Sequence, residues 1–267
     1  MSRPFAEVIG DPIRQSKSPA IHGFWLEKLG IAADYRATHV RAEDLGDFFA
    51  ARRSDSGWRG CNVTMPHKQA VMPLLDRLDP LAARIGAVNT VVPDGGGLAG
   101  HNTDAAGFLE PLGDMAVGDV IVIGAGGAAR AVLAALADRG VARITLQNRS
   151  IAKGEALLAE FGLAGEVVEP GHDGVQADLL VNTSSLGMAG FPPMPPVERQ
   201  VRAGGTVYDI VTTPLDTDLL KAARARGLAT IDGLSMLIGQ AAVAFEKFFG
   251  AAPPRRFDAE LRRKLTS

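Results

Sequence analysis

The sequence predicts an α/β protein of two domains with a cleft between them, and three observations lead there. Short apolar, β-rich runs alternate with longer helical patterns from end to end, the pattern of helices layered on largely parallel sheets. From Asp119 onward the alternation becomes more regular. With 267 residues and 46% hydrophobic content, the chain can fill two ordinary cores.

In the first hundred residues the pattern places strands near Ala6-Val8-Ile9, Tyr35-Ala37-His39, Gly60-Asn62-Val63 and Val88–Val92. Helices are expected after Ser18, Ala42, Pro66 and Pro80, and Asp94-Gly95-Gly96-Gly97 reads as a turn between two strands. Beyond Asp119, strands are expected at Val120–Ile123, Arg143–Gln147, Glu166–Val168, Leu179–Asn182, Thr206–Ile210 and Ala229–Ile231, a number that suits a doubly wound sheet. The last long helix, Ser235 to Phe249, is apolar on most sides, and the tail after Pro253-Pro254 is basic and helical. This final segment is expected to return to the first domain, giving domains of 1–104 completed by 238–267, and 105–237.

A formal charge of -2 with mixed signs along the chain gives no footprint for nucleic acid or an anionic membrane, so a small-molecule partner is expected. No stretch approaches the roughly 18 uninterrupted apolar residues of a membrane span, and MSRPFAEVIG lacks the pattern of a leader, so a cytoplasmic location is expected. The single Cys61 has no cysteine partner for a disulfide or a structural metal and reads as a core residue. No metal is expected, and the chain is read as a monomer or homodimer.

The run Asp119 to Ile123 followed by Gly124-Ala125-Gly126-Gly127-Ala128-Ala129 is G-x-G-x-x-A between a strand and a helix. Gly124 permits the tight turn, Gly126 lets the backbone approach a pyrophosphate, and Ala129 allows close packing of helix on strand, so 105–237 is read as a Rossmann-type domain. The second strand ends at Gln147-Asn148-Arg149-Ser150, where an NAD enzyme carries an acid for the ribose hydroxyls. Arg149, Ser150 and Lys153 instead suit the 2′-phosphate of NADP, through charge-assisted hydrogen bonds.

Four polar segments of the first domain suggest chemistry. Ser16-Lys17-Ser18-Pro19 opens a helix, where hydroxyls and backbone N–H groups can meet a carboxylate, although Ser18 before Pro19 also reads as an N-cap. Lys68, in Asn62-Val63-Thr64-Met65-Pro66-His67-Lys68, is expected in the first turn of a helix; that position disfavours a cation, so a lysine there points to acid/base work. His67 beside it reads as structural. Asp104, after His101-Asn102-Thr103, suits either an N-cap or a carboxylate that orders the Lys68 ammonium, and Asn89 adds a neutral donor and acceptor.

Taken in order, Gly10-Asp11-Pro12 to Pro19, Asn62 to Lys68, Gly86-Ala87-Val88-Asn89-Thr90, Asn102-Thr103-Asp104, the glycine turn, Asn148-Arg149-Ser150 and Gly233-Leu234-Ser235-Met236-Leu237 to Gln240 resemble the shikimate dehydrogenase family. The resemblance covers nearly the whole chain and implies an NADP-dependent oxidoreductase whose first domain holds the substrate. It implies that Ser16 and Ser18 hold a substrate carboxylate, that Thr64, Asn89, Asp104 and Gln240 bind ring hydroxyls, and that Lys68 with Asp104 is the catalytic pair. It also implies cofactor contacts from Gly124, Ala125, Gly126, Gly127, Ala128, Ala129, Asn148, Arg149, Ser150, Lys153, Ile210 and Gly233.

The chain departs from the family pattern at Asp209-Ile210-Val211-Thr212-Thr213-Pro214, where Thr212 replaces a tyrosine that reaches the substrate carboxylate in the family. Three readings follow: reduction of 3-dehydroshikimate to shikimate, action on quinate or another carboxylated polyol, and ligand binding without turnover. The presence of both Lys68 and Asp104 places the last of these behind the others.

Overall fold

A computed structural model describes residues 3–172 and 174–266, which fall into two units, Met1–Gly107 with Ile238–Ser267, and Phe108–Leu237. The first unit contains β1 (Phe5–Gly10), α1 (Ser18–Leu29), β2 (Asp34–His39), α2 (Leu45–Arg53), β3 (Trp58–Val63), β4 (Arg77–Leu78), α3 (Pro80–Ile85), β5 (Thr90–Asp94) and β6 (Gly97–His101), and α4 (Asp104–Leu109) starts within it. The second contains β7 (Asp119–Ile123), α5 (Gly127–Asp138), β8 (Arg143–Gln147), α6 (Ile151–Glu160), β9 (Gly165–Val168), β10 (Ala177–Asn182), β11 (Val201–Asp209), α7 (Asp218–Ala225) and β12 (Ala229–Asp232). α8 (Gly233–Phe249) starts in the second unit and ends in the first, and α9 (Asp258–Thr266) completes the first.

The first sheet has strand order β2-β1-β3-β5-β6-β4 and is mixed where the sequence suggested largely parallel pairing. β1 lies parallel to β2 and β3, whereas β5 runs antiparallel to both β3 and β6. The reversal is made by the Asp94–Gly97 turn, in which Gly95 and Gly96 have φ of 57 and 87. Two successive positive φ values suit a tight hairpin and are cheap only for glycine. The short strand β4 has no alternating apolar pattern and was not expected; it is held parallel to β6 through Arg77 and Leu78.

The segment after Pro66 is the largest departure from expectation. Instead of a helix, residues 65–71 form a run of turns leading into a 3₁₀ turn at Met72–Leu74. His67 N–H donates to Thr64 O, Val71 to His67, Met72 to Gln69 and Leu74 to Val71, so a single i−4 bond stands among i−3 bonds and no α-ladder propagates. Pro73 lacks an N–H and disfavours the α-region for the residue before it. Lys68 therefore stands in a turn, and the helix-start argument for its chemistry has no helix to act through. After Ala42 a 3₁₀ turn, Ala42–Asp44, precedes α2.

The second sheet is wholly parallel, with order β12-β11-β10-β7-β8-β9. Numbered within the unit, that is the doubly wound order 3-2-1-4-5-6, whose switch point lies between β7 and β10. β11 starts at Val201, five residues before the expected Thr206; Arg202, Ala203 and Gly204 are exposed, so no apolar run marks this part of the strand. Ile121, Ile123, Leu180, Val207, Leu219 and Leu220 form part of its core.

The first unit packs Phe5, Ile9, Phe49, Trp58, Val63, Val91 and Leu98 against one another. Cys61 is buried among them, and among the described residues no helix is long and apolar enough to cross a membrane. Within this unit Glu7 is fully buried and accepts from Arg52 Nε at 2.6 Å, Arg52 Nη2 at 3.2 Å, Trp58 Nε1 at 3.0 Å and Thr38 Oγ1 at 2.5 Å. Such a set offsets the desolvation of the carboxylate, which alone would be strongly destabilising.

α1 and α9 are joined by Lys17 Nζ donating to Leu265 O at 3.0 Å and by the Lys28–Glu260 pair at 2.8 Å. On the inner face of α1, His22 stacks on Tyr35 with ring centroids 4.0 Å apart and meets Trp25 edge-on at 5.8 Å. Neither His22 ring nitrogen has a hydrogen-bond partner among the described residues. Burial therefore drives its pKa from 6.5 down to about 3.

The unfolded chain binds a proton at His22 below pH 6.5, whereas the folded protein refuses it until about pH 3. Stability present above pH 6.5 is thus lost as pH falls across that window, at a limiting rate of roughly 1.4 kcal/mol per pH unit. His22→Phe should flatten the pH dependence of the urea midpoint in this range. Equal slopes for the two proteins would contradict the assignment.

Candidate functional site

The polar centre of the first unit is assembled at the carboxyl ends of β1 and β3. Gly10 makes the approach possible: a Cβ there would stand 2.6 Å from Thr64 Cγ2 and 2.9 Å from Met65 O. Asp11 N–H donates to Met65 O at 3.1 Å and Thr64 N–H to Ile9 O at 3.0 Å, so the loops after β1 and β3 run side by side. The first carries Ser16 and Ser18, the second Thr64 and Lys68.

α1 starts at Ser18, with Lys17 in the capping position and no side-chain cap. Ser18 is therefore not the N-cap that Pro19 suggested. Its N–H donates to Ser16 Oγ at 3.3 Å, which sets both serines at the open end of the helix. Ser16 and Thr64 are half-buried, and Ser18 is buried. An uncapped helix start bearing hydroxyls favours an anionic group.

Lys68 Nζ lies 2.5 Å from Asp104 Oδ2, with the lysine side chain 18% exposed and the aspartate side chain 7% exposed. The turn bearing Lys68 is fixed at its own backbone, where Lys68 O accepts from Val88 N–H at 2.8 Å. Asp104 is the first residue of α4, and its side chain turns to Lys68 and Asn89 instead of capping the helix. Its second oxygen accepts from Asn89 Nδ2 at 2.9 Å and its N–H donates to Asn102 Oδ1 at 3.0 Å. Of the three ammonium hydrogens of Lys68, the ion pair occupies one.

Asn89, 3% exposed, also donates to Thr103 Oγ1 at 2.9 Å and accepts from Thr103 N–H at 2.8 Å. Gln240, on α8, joins through its Oε1, 3.3 Å from Thr103 Oγ1. His67 is buried and donates from Nε2 to Val40 O at 2.7 Å, which braces the turn and keeps this ring away from proton transfer.

Five participants carried no assigned role in the sequence: Tyr35, Asn62, Thr90, Asn102 and Thr103. Asn62 accepts from Tyr35 O–H at 2.6 Å and donates to Thr90 Oγ1 at 3.1 Å; Thr90 in turn donates to Asn89 Oδ1 at 3.1 Å. Asn102 donates to Ala87 O at 2.9 Å. Asn62 and Asn102 both lay inside recognisable motifs, and a polar residue in a strand that must be buried was the signal available for Asn62.

In the second unit, Gly124 has φ 101, and a Cβ there would meet Thr183 Oγ1 at 3.1 Å and Ser184 N at 3.3 Å. The turn thus lies at the ends of β7 and β10, the switch point of the sheet. At Gly126, by contrast, a Cβ would meet no protein atom. The fold itself places no packing demand for glycine at 126, as suits a residue whose backbone must admit a ligand. Gly126 stands in the capping position of α5 without a side-chain cap, Ala129 is buried, and Ala125, Gly127 and Ala128 complete the turn.

Between β8 and α6, Ser150 occupies the capping position of α6 but makes no side-chain cap. Asn148 Nδ2 fixes the bend by donating to Ser150 O at 2.8 Å. Arg149 and Lys153 are exposed and enter no ion pair among the described residues. A helix start with a spare hydroxyl and two cations fits a phosphate dianion. Gly233 lets α8 start against β11: a Cβ would approach Val211 O to 2.5 Å, and Ile210 is half-buried beside it.

Asp209 closes the end of β11, accepting from Thr217 Oγ1 at 2.7 Å, Asn182 Nδ2 at 2.9 Å and Val211 N–H at 3.1 Å. Burial pushes its pKa up against those bonds. Thr212 follows, half-buried. Among the described residues no cluster of histidine, cysteine, aspartate and glutamate could hold a metal ion.

A doubly wound sheet with this glycine turn, together with a second α/β unit carrying a buried lysine–aspartate pair, defines the class of dinucleotide-dependent oxidoreductases. Residues 8–91 match the model of the shikimate dehydrogenase substrate binding domain, 109–170 that of shikimate / quinate 5-dehydrogenase, and 233–257 that of the shikimate 5'-dehydrogenase C-terminal domain. A shikimate dehydrogenase (NADP(+)) from Sphingopyxis alaskensis is 58% identical over 268 residues, covering 99% of this chain and 97% of that protein.

Among solved structures, shikimate 5-dehydrogenase from Thermus thermophilus in complex with NADP(H) and shikimate is 38% identical with a TM-score of 0.86, covering 98% of this chain and 99% of that one. Quinate dehydrogenase from Corynebacterium glutamicum in complex with NAD is 34% identical with a TM-score of 0.87, at 98% and 99% coverage. The chain belongs to the shikimate dehydrogenase family.

Proposed function

We propose that the protein catalyses the NADP-dependent interconversion of 3-dehydroshikimate and shikimate, with Lys68 and Asp104 as its acid–base pair. The observation that carries this reading is the Lys68–Asp104 contact of 2.5 Å, at the end of the sheet where Ser16, Ser18 and Thr64 also gather. Membership of the family and the NADP-dependent relative support the substrate and the cofactor.

In this reading Ser16 and Ser18 hold the carboxylate at the start of α1. Thr64, Asn89, Asp104 and Gln240 take the ring hydroxyls. In the oxidising direction Lys68 Nζ accepts the proton of the ring hydroxyl. In the reducing direction the ammonium returns it to the carbonyl oxygen. Asp104 holds the nitrogen in place through Oδ2 while Asn89 pins Oδ1, so the ammonium keeps one position as it trades its proton.

The residues of the second unit fit NADP. Gly124 to Ala129 would receive the pyrophosphate; Asn148, Arg149, Ser150 and Lys153 the 2′-phosphate; Ile210 and Gly233 the remainder. When bound, NADP supplies a two-electron hydride carrier, which side chains alone do not provide.

Thr212 motivates a second reading, action on quinate. A threonine is shorter than the family's tyrosine, so the carboxylate rests on the serines, and a solved quinate dehydrogenase has the same fold. The reading is tested by reduced-cofactor absorbance with shikimate or quinate and NADP or NAD. Shikimate with NADP should give the largest kcat/KM; a preference for quinate with NAD would overturn the proposal.

Arg149→Ala should raise the KM for NADP by about tenfold or more while changing that for NAD little, since one charge-assisted contact is worth about 1.5–3 kcal/mol. Equal effects on the two cofactors would refute the 2′-phosphate assignment.

A further inference from the structure

The orientation of the Asn89 amide follows from the Asp104 carboxylate, and one residue with no assigned role transmits it outward. An ionised carboxylate only accepts, so the Asn89 atom 2.9 Å from Asp104 Oδ1 is the NH2 group. Asn89 Oδ1 then faces the Thr103 N–H, 2.8 Å away, and the two assignments agree.

Thr103 is 1% exposed and its hydroxyl has one proton to give. Its Oγ1 accepts from Asn89 Nδ2 at 2.9 Å and lies 3.3 Å from both Asn89 Oδ1 and Gln240 Oε1. Asn89 Oδ1 is already served by Thr103 N–H and by Thr90 Oγ1 at 3.1 Å. Asn89 Nδ2, committed to two shorter bonds, approaches Gln240 Oε1 only to 3.5 Å. The Thr103 proton is better placed on Gln240.

We propose that Thr103 is a positioning residue for substrate binding: its hydroxyl holds Gln240 with Oε1 inward, so that the amide presents its Nε2 donor to a ring oxygen of the substrate. Thr103 does not itself touch the substrate. It converts the fixed charge of Asp104 into a fixed polarity at Gln240, one residue further along the network. A flipped Gln240 would set a carbonyl where a donor is needed. The inference rests on the proposed contact between Gln240 and the substrate.

The test is a double-mutant cycle read in KM and kcat with shikimate and NADP. Thr103→Val keeps the shape and removes the hydroxyl; it should raise the KM for shikimate about tenfold, the ratio expected for one neutral hydrogen bond, with kcat changed less than about threefold. Thr103→Ser should recover most of the loss. In a Gln240→Ala background, Thr103→Val should add nothing, because the group it orients is gone.

Additive effects in the cycle, or a Thr103→Ser protein as impaired as Thr103→Val, would overturn the proposal. Thr103→Ala, which removes the same hydroxyl with less demand on space, is read in the same cycle if the valine variant does not fold. Absence of shikimate turnover in the wild-type protein counts against the proposed function. Turnover with additive effects counts against the Thr103 relay alone.

Discussion

The buried carboxylate of Asp104 is the constraint on which the first unit's polar centre depends. A charge with its side chain 7% exposed is tolerated only if its oxygens are met, and Lys68 and Asn89 meet them. Each partner is then fixed by its own surroundings. The donors run in one direction, from Tyr35 to Asn62, Thr90, Asn89 and Asp104, with Lys68 arriving from the opposite side. A network in which every amide has a determined orientation is rigid, and rigidity is what an acid–base pair needs to hold a proton at a defined place.

The second unit separates what the fold needs from what the ligand needs. Gly124 is demanded by its positive φ and Gly233 by the backbone of Ile210 and Val211. Gly126 is not so demanded, and the hydroxyl of Ser150 is not spent on its own helix. Neither choice is explained by packing, and both fit the phosphate contacts proposed for these residues. The same contrast separates His67, whose Nε2 is taken by Val40 O, from Lys68, which retains hydrogens to exchange.

Much of this was legible in the sequence because it rests on local rules. The strand–glycine–helix passage at 119–139 and the acid-to-arginine change at 149 are read from neighbours within a few residues, and the doubly wound order follows from regular alternation. The helix expected after Pro66 is replaced by turns closed mainly by i−3 bonds, and Pro73 disfavours its continuation. β4 is built from pairing with β6 and carries no periodicity of its own. Asn62 and Thr103 act through partners up to 28 and 137 residues away, and no spacing along the chain encodes such contacts. Lys68 was singled out by an argument from a helix that is absent; what supports it is Asp104, brought from 36 residues away.

The central claim is that Lys68 moves the proton of the reacting hydroxyl, and Lys68→Met tests it most directly, since methionine keeps the length and apolar stem. At neutral pH, with saturating NADP and shikimate, kcat should fall by about 10²–10⁴-fold, while shikimate affinity measured by equilibrium binding changes far less. A variant that turns over shikimate at the wild-type rate would contradict the claim. So would one whose loss lies wholly in binding.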